Sequence, residues 1–388
     1  MLKTETVGLL DQYKFNSKGI REITKQLDRT NILIFSAMWK FGPRNLLEVA
    51  RRTEMPFTSV YHRISRIESK AKEIAYVIPQ VAKLGMVRVA VLLTARPGCE
   101  DVVASAVKMP NVWRSVSSCE GMFTHISIHL VPIKFLNEFK SYIRYLAERK
   151  LITRFRIILT GDYLPNFPDF QYFDPTASQW KFDWEGWIAE LNQSQPSKSI
   201  DDPAHYQLLV DKKDLLLIEE LEKDGRKSFT DLAPMLGMSL QGVKYHFDKL
   251  TPTGIIALFH LRVVPYPTEV SAYHEIMLEF SSQCDMDRFY SLVPKLFFVL
   301  GLAKALRRNA LMVQTYLLQS QLPNMFSFFS AMARAGLLKS YSAVRLDFVS
   351  RETQSISSEL FDEEKGWNLD LGKSLAELSK LETIGVEA

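Results

Sequence analysis

Between Ile32 and Ile67 apolar residues return at helical spacing, interrupted at Gly42 and again at Met55-Pro56. That spacing predicts three short helices, the last two joined by a tight turn, with Thr58 placed to cap the third. A second pattern begins at Met86. The run MVRVAVLLT, ending at Thr94, has no helical period, stops before Arg96-Pro97-Gly98 and predicts a buried strand. Beyond it the pattern predicts a short helix over 100–108, strands over 112–117 and 123–130, a long amphipathic helix over 132–149 and a strand over 155–160. Strand, helix, two strands, helix, strand is the ferredoxin-like order.

Both patterns come back. Shifted by 183 positions, Val49, Ala50, Met55, Val60, Ile64 and Ile67 fall on Leu232, Ala233, Met238, Val243, Phe247 and Leu250. The second break is Gly237-Met238-Ser239, with Ser239 as the cap, and Gly42 falls on Gly225. Further strands are expected over 273–280, within 297–306, and over 310–317 and 342–349, with helices over 285–293 and 323–335. Gly121 meets Asn309 at the tip of the central hairpin, and Asn is the residue that best replaces Gly at positive φ. The tails agree too. Phe173-Asp174, Trp180 and Trp184 match Phe361-Asp362, Trp367 and Leu371, and each tail is expected to lie on its own sheet as an aromatic-anchored helix.

The expected fold class is therefore α+β, in two repeats, each a winged helix-turn-helix followed by a ferredoxin-like βαββαβ domain. The boundaries run as a lead-in at 1–26, with a short helix near Lys18 to Gln26, a first winged helix-turn-helix at 27–85 and a first ferredoxin-like domain at 86–163. An aromatic tail at 164–193 and a Ser/Pro-containing linker at 194–209 follow. The second helix-turn-helix takes 210–270, the second ferredoxin-like domain 271–350 and the last tail 351–388.

The first unit resembles the Lrp/AsnC (leucine-responsive) family of prokaryotic regulators. Leu27-Asp28-Arg29-Thr30-Asn31 is similar to that family's LDxxD start, with Asn in place of the second acid. Val60-Tyr61-His62-Arg63-Ile64-Ser65-Arg66-Ile67 is similar to its V-x-x-R-(I/V)-x-x-L run. In the second unit His246 stands in place of the arginine. The resemblance implies a sequence-specific regulator of transcription that binds double-stranded DNA, with sheets that pair into dimers. Here that pairing is expected within one chain, as a pseudo-dimer able to assemble further. It also implies a small-molecule effector site near the turn before the third strand, which falls on Glu120, Gly121, Met122 and Phe123 and on Arg308 and Asn309. Thr124 replaces the family's acidic residue after that glycine, a departure that bears on amino-acid binding.

The 388 residues are 47% hydrophobic, enough for several packed domains. A net charge of +4 says little about nucleic acid, but its distribution says more. Residues 51–72 carry six basic side chains against two acidic, whereas 234–255 carry two against one. If the second helix of each unit enters the major groove, Thr58, Ser59, Tyr61, His62, Arg63 and Arg66 face the bases, and in the sibling Gln241, Lys244, Tyr245, His246 and Lys249. The competing expectation for either unit is a retained fold that meets protein instead. Three distant cysteines and no apolar run of membrane length point to a cytoplasmic protein with no membrane partner.

His125 and His129 share a strand face but stand about 13 Å apart, too far for one ion, so no metal is expected. No serine elbow, phosphate loop, CxxC or paired-carboxylate motif occurs, and no cofactor is expected. Siroheme decarboxylases also look like Lrp/AsnC proteins and act as paired units, but nothing in this chain specifically matches a tetrapyrrole site. The expectation is a regulator rather than an enzyme, with a non-reading interaction module as the alternative.

Overall fold

The computed structural model describes residues 12–14, 25–71, 74–110, 112–174, 176–177, 179–261, 263, 266–347 and 350–386. The helix expected near Lys18 lies outside them.

After a short strand β1 (Gln12–Lys14), the first unit folds as α1 (Arg29–Phe41), α2 (Leu46–Arg52) and α3 (Phe57–Ala71). Asp28 caps α1 by accepting the Asn31 amide, and Asn45 caps α2. Thr58 lies inside the first turn of α3 rather than at its cap, because Phe57 already begins the helix. Val60, Ile64 and Ile67 are buried, as the helical spacing requires. A strand β2 (Ala75–Pro79) then leads to β3 (Met86–Ala95), α4 (Glu100–Ala106), β4 (Trp113–Glu120), β5 (His125–Pro132), α5 (Leu136–Glu148) and β6 (Ile152–Thr160). The chain continues through β7 (Leu164–Pro165), β8 (Phe173–Asp174) and β9 (Gln179–Trp180) into α6 (Trp184–Gln193).

The order then recurs. It runs α7 (Lys212–Lys223), α8 (Phe229–Met235), α9 (Leu240–Leu250), β10 (Ile256–Leu261), β11 (Ser271–Phe280), α10 (Gln283–Leu292), β12 (Val299–Lys304), β13 (Ala310–Leu318), α11 (Leu322–Arg334) and β14 (Leu338–Leu346). It closes with β15 (Glu352–Gln354), β16 (Phe361–Asp362), β17 (Gly366–Trp367) and α12 (Leu371–Val386). Ser228 and Ser239 cap α8 and α9, and Asp211 and Asp214 form a reciprocal capping box on α7.

Each ferredoxin-like segment makes a four-stranded antiparallel sheet, β6-β3-β5-β4 and β14-β11-β13-β12. The two sheets are joined along both margins. On one side β4 pairs with β14 and β15, and on the other β12 pairs with β7 while Gly161 and Leu306 donate to Lys304 and Leu159 across the seam. Alternation along β3 then sorts the side chains. Val87, Val89, Val91 and Leu93 join the core containing Phe139 and Ile143 of α5. Arg88, Ala90 and Leu92 face the space between the sheets, opposite Leu130, Ile128 and Ile126 of β5.

The halves interlock. The strand after each helix-turn-helix crosses to the other half, β2 pairing with β10. The tails do not lie on their own sheets. Trp180, Trp184 and Trp187 stack on Phe297, Phe298 and Phe328 of the second half, at ring separations of 4.5–6.1 Å. The last helix α12 packs on α4 and α5 of the first half, and the Trp367 indole donates to the Leu84 carbonyl at 2.8 Å. Gly225 also departs from its alignment with Gly42. Gly42 has φ +91° at the end of α1, whereas Gly225 is needed for closeness, since a Cβ there would meet the Phe259 ring at 2.9 Å and Tyr76 Cα at 3.1 Å. At the hairpin tip the left-handed residue is Arg307, φ 58°, not Asn309.

Candidate nucleic-acid interface and a buried polar cluster

The turn between helices places α3 and α9 across the ends of α1 and α7, and this settles what several expected base-reading residues touch. Arg63 turns back to the start of α1. Its Nη1 donates to Asp28 Oδ2 at 2.9 Å and to Asn31 Oδ1 at 3.1 Å. Burial works against charge on Asp28, but the Asn31 amide and the Arg63 guanidinium outweigh it and hold its pKa below the usual range.

The same positions meet in the second unit. His246 Nδ1 lies 2.7 Å from Asp214 Oδ1, and Lys249 Nζ reaches Asp214 Oδ2 at 2.5 Å and Asp211 Oδ2 at 3.2 Å. The Asp214 side chain has no exposed surface. Burial opposes the charge of Lys249, yet Asp214 and Asp211 more than offset it and raise its pKa. Asp211, Asp214 and His246 bring three donor atoms within 4.8 Å, a spacing a metal ion could use. The Lys249 ammonium already supplies the positive charge there. Arg63, His246 and Lys249, expected to face bases, thus each direct polar atoms to the start of the first helix and tie the second helix to it.

What stays open is Thr58, Ser59, Tyr61, His62 and Arg66 on α3, and Gln241, Lys244 and Tyr245 on α9, all exposed. Tyr61 and Tyr245 are 50% and 66% exposed, so each face presents an aromatic ring beside its polar groups. The charge contrast shrinks as well, since Arg51 and Arg52 both pair with Glu48. The units also grip each other. Arg44 donates to the Gly225 carbonyl at 2.8 Å and stacks over Phe229 and Phe247, while Arg226 pairs with Glu68 and the Pro43 carbonyl.

The residues expected to hold an effector lie at two separate hairpin tips. Glu120, Gly121 and Met122 are exposed and Phe123 is buried. Arg308 pairs with Glu279, and the Asn309 carbonyl accepts the Phe280 amide. Among the described residues no hydrogen bond or ion pair joins one tip to the other. His125 and His129 follow β5 toward the helix layer, where the His129 ring lies 4.9 Å from Phe139. Burial, with Arg114 adding to it, pushes His129 down to about 3.

Sequence reasoning missed a polar cluster between the two sheets. Gln314 Nε2 donates to Glu275 at 3.0 Å, Tyr163 donates to Gln314 at 2.9 Å, and Arg351 donates to Tyr273 at 2.7 Å and Ser115 at 3.2 Å. Arg88 donates to Thr160 at 2.9 Å. Charged residues at alternate positions of otherwise apolar strands, Arg88 in β3 and Glu275 in β11, were the available signal.

A family described as winged helix-turn-helix DNA-binding matches residues 210–257. No curated protein matches the chain. Among solved structures, the siroheme decarboxylase NirDL is similar over 90% of this chain and 99% of its own, with 12% identity and a TM-score of 0.54. The same enzyme in complex with an iron-uroporphyrin III analogue gives 90% and 100%, 11% identity and 0.55. E. coli AsnC is similar over 35% of this chain and 91% of its own, with 16% identity and a TM-score of 0.29. The expectation that the chain is not an enzyme is corrected by the first two. Nearly the whole chain shares the fold of an enzyme, a likeness of fold at this level of identity.

Proposed function

We propose that the chain is a tandemly duplicated DNA-binding protein whose two helix-turn-helix units, paired within one molecule, bind double-stranded DNA. The observation that carries this reading is the winged helix-turn-helix match over 210–257, on a helix whose Gln241, Lys244 and Tyr245 remain open to a partner. Gln suits the adenine edge, while Lys and Tyr suit phosphates. Duplication is supported by the clasp. Asp28, Asn31 and Arg63 recur as Asp211, Asp214 and His246 at one constant offset. Because the open faces differ, Thr58-Ser59-Tyr61-His62 against Gln241-Lys244-Tyr245, one chain reads two unlike half-sites and regulates transcription from an asymmetric operator. Such work places the protein in the cytoplasm with the DNA. Selection from randomised duplexes should enrich an asymmetric bipartite site with half-sites about 34–36 Å apart, or a multiple of that. A perfect palindrome bound by one molecule, or no enrichment at all, would sink this reading.

A second reading is favoured by the fold. The likeness to siroheme decarboxylase NirDL spans both halves, so a decarboxylase acting on a carboxylate-bearing tetrapyrrole fits the same architecture. Adding iron-uroporphyrin III to the purified protein tests it. A shifted porphyrin absorption band with release of carbon dioxide would favour the enzyme, and an unchanged spectrum would remove it.

A further inference from the structure

Between the two sheets lies a buried guanidinium that makes no ion pair among the described residues. Arg88 is 5% exposed, and its guanidinium has five N–H donors. Among the described residues its one hydrogen bond goes to the Thr160 hydroxyl, and no carboxylate lies within 4 Å of it. The Tyr163 ring lies 5.6 Å from its Cζ. Burial lowers its pKa, with Glu275 and Tyr163 pulling the other way, but a guanidinium does not give up its proton in a protein. A buried charge without a partner costs several kcal/mol.

Glu275 does not cancel it. The side chain is 4% exposed and, among the described residues, accepts one hydrogen bond, from Gln314. Glu275 and Arg88 feel each other electrostatically without making an ion pair. Arg351 adds a second guanidinium on Tyr273 and Ser115. Burial raises the pKa of the Glu275 carboxyl and favours its neutral form, and Asp162, whose pKa burial also raises, feels Arg88 from the cleft side without pairing with it. Around them the inward side chains of the first sheet include Ala90, Leu92, Ile126 and Ile128.

We propose that the space between the two sheets binds a small aliphatic carboxylate, with Arg88 as its anchor. Water could satisfy the idle N–H groups but not the charge. A carboxylate does both, since its two oxygens match the guanidinium fork, and its hydrocarbon body suits the apolar walls. A cleft runs along the seam close to Arg88 in sequence. Thr160 is followed by Gly161 and Asp162, which line this cleft of about 470 Å³ together with Leu164, Lys83 and Lys304. Tyr163, between two cleft-lining neighbours, turns its hydroxyl inward to Gln314 and separates the cleft from the cluster. The site is distinct from the hairpin tips and from both reading helices, and it goes beyond the DNA reading and the decarboxylase reading alike.

Titration calorimetry and thermal melts of the full chain test it with sodium acetate, butyrate and glutarate, against sodium chloride and phosphate at matched ionic strength. At least one carboxylate should bind saturably and raise the Tm above the chloride control. Arg88→Gln should weaken that binding at least about tenfold, the share of one charge-assisted hydrogen bond. Glu275→Gln removes the acid that feels Arg88 from the second sheet, should bind at least as tightly, and keeps the test alive if Arg88→Gln does not fold. The proposal is overturned if chloride stabilises as well as the carboxylates, if phosphate binds in their place, if Arg88→Gln binds undiminished, or if Glu275→Gln binds more weakly. Since the reading helices are untouched, DNA site selection can fail or succeed independently.

Discussion

At the first helix-turn-helix, Arg63 reaches Asp28, whose side chain is half exposed, and the amide of Asn31. At the second, His246 and Lys249 converge on Asp214, which has no exposed surface at all. The frame is shared and the strength of the clasp is not. An exposed pair is screened by water and adds little, whereas a buried carboxylate that satisfies two cationic or hydrogen-bonding partners becomes indispensable once it is there. The lesson is that a motif arginine on a reading helix can serve the fold before it serves DNA.

The largest expected effect separates the two clasps directly. Asp214→Ala leaves His246 and Lys249 facing an empty site and should cost about 3–5 kcal/mol in denaturant unfolding. Asp28→Ala loses a helix cap and a partly exposed pair and should cost about 1 kcal/mol. Equal losses would erase the contrast.

The two ferredoxin-like halves give the next test, because each buries a histidine in its neutral form. Burial, helped by Arg114, holds His129 at about 3, and burial with Arg345 holds His274 at about 4. Both lie below the unfolded value, so the unfolded chain takes up protons first and stability falls as pH drops from about 6.5 toward these values. By pH 5 each should cost about 2 kcal/mol. His129→Gln and His274→Gln should each remove about half of the acid-induced drop in Tm, and an unchanged profile in either would show that its histidine is not buried neutral.

The smallest effects concern DNA. Arg66 and Lys244 are exposed, and among the described residues neither makes an ion pair, so alanine at each should lower the log–log salt slope of binding by about 0.9 if it holds one phosphate. Arg63→Ala should change that slope less and stability more. A larger slope change for Arg63 would return it to the reading face.

Much of the local structure was legible because its causes are local. The helical spacing of Val60, Ile64 and Ile67, the cap at Ser239 and the apolar run of β3 each act within a few residues. The clasp was half legible: Asp28 and Arg63 both belong to the quoted signature, but periodicity alone placed Arg63 on the outer face, since a long side chain can turn back from a surface position. Asn309 was expected at positive φ from alignment, yet the strain settled on Arg307, where the hairpin register put it.

The sequence by itself determined the order of the main helices and strands and the inward face of each second helix. Only the tertiary structure decided that β2 would pair with β10, that β7 and β15 would close the seams between the sheets, and that each tail would cover the other half. The physical reason is distance along the chain. A period or a cap reports on neighbours, whereas the choice between lying on one's own half and crossing to the other turns on which surfaces bury more area. Two halves with similar apolar faces write the same pattern for either choice. For the same reason no motif announced Arg88 and Glu275, which come from different halves and acquire a shared meaning only where the two sheets enclose them.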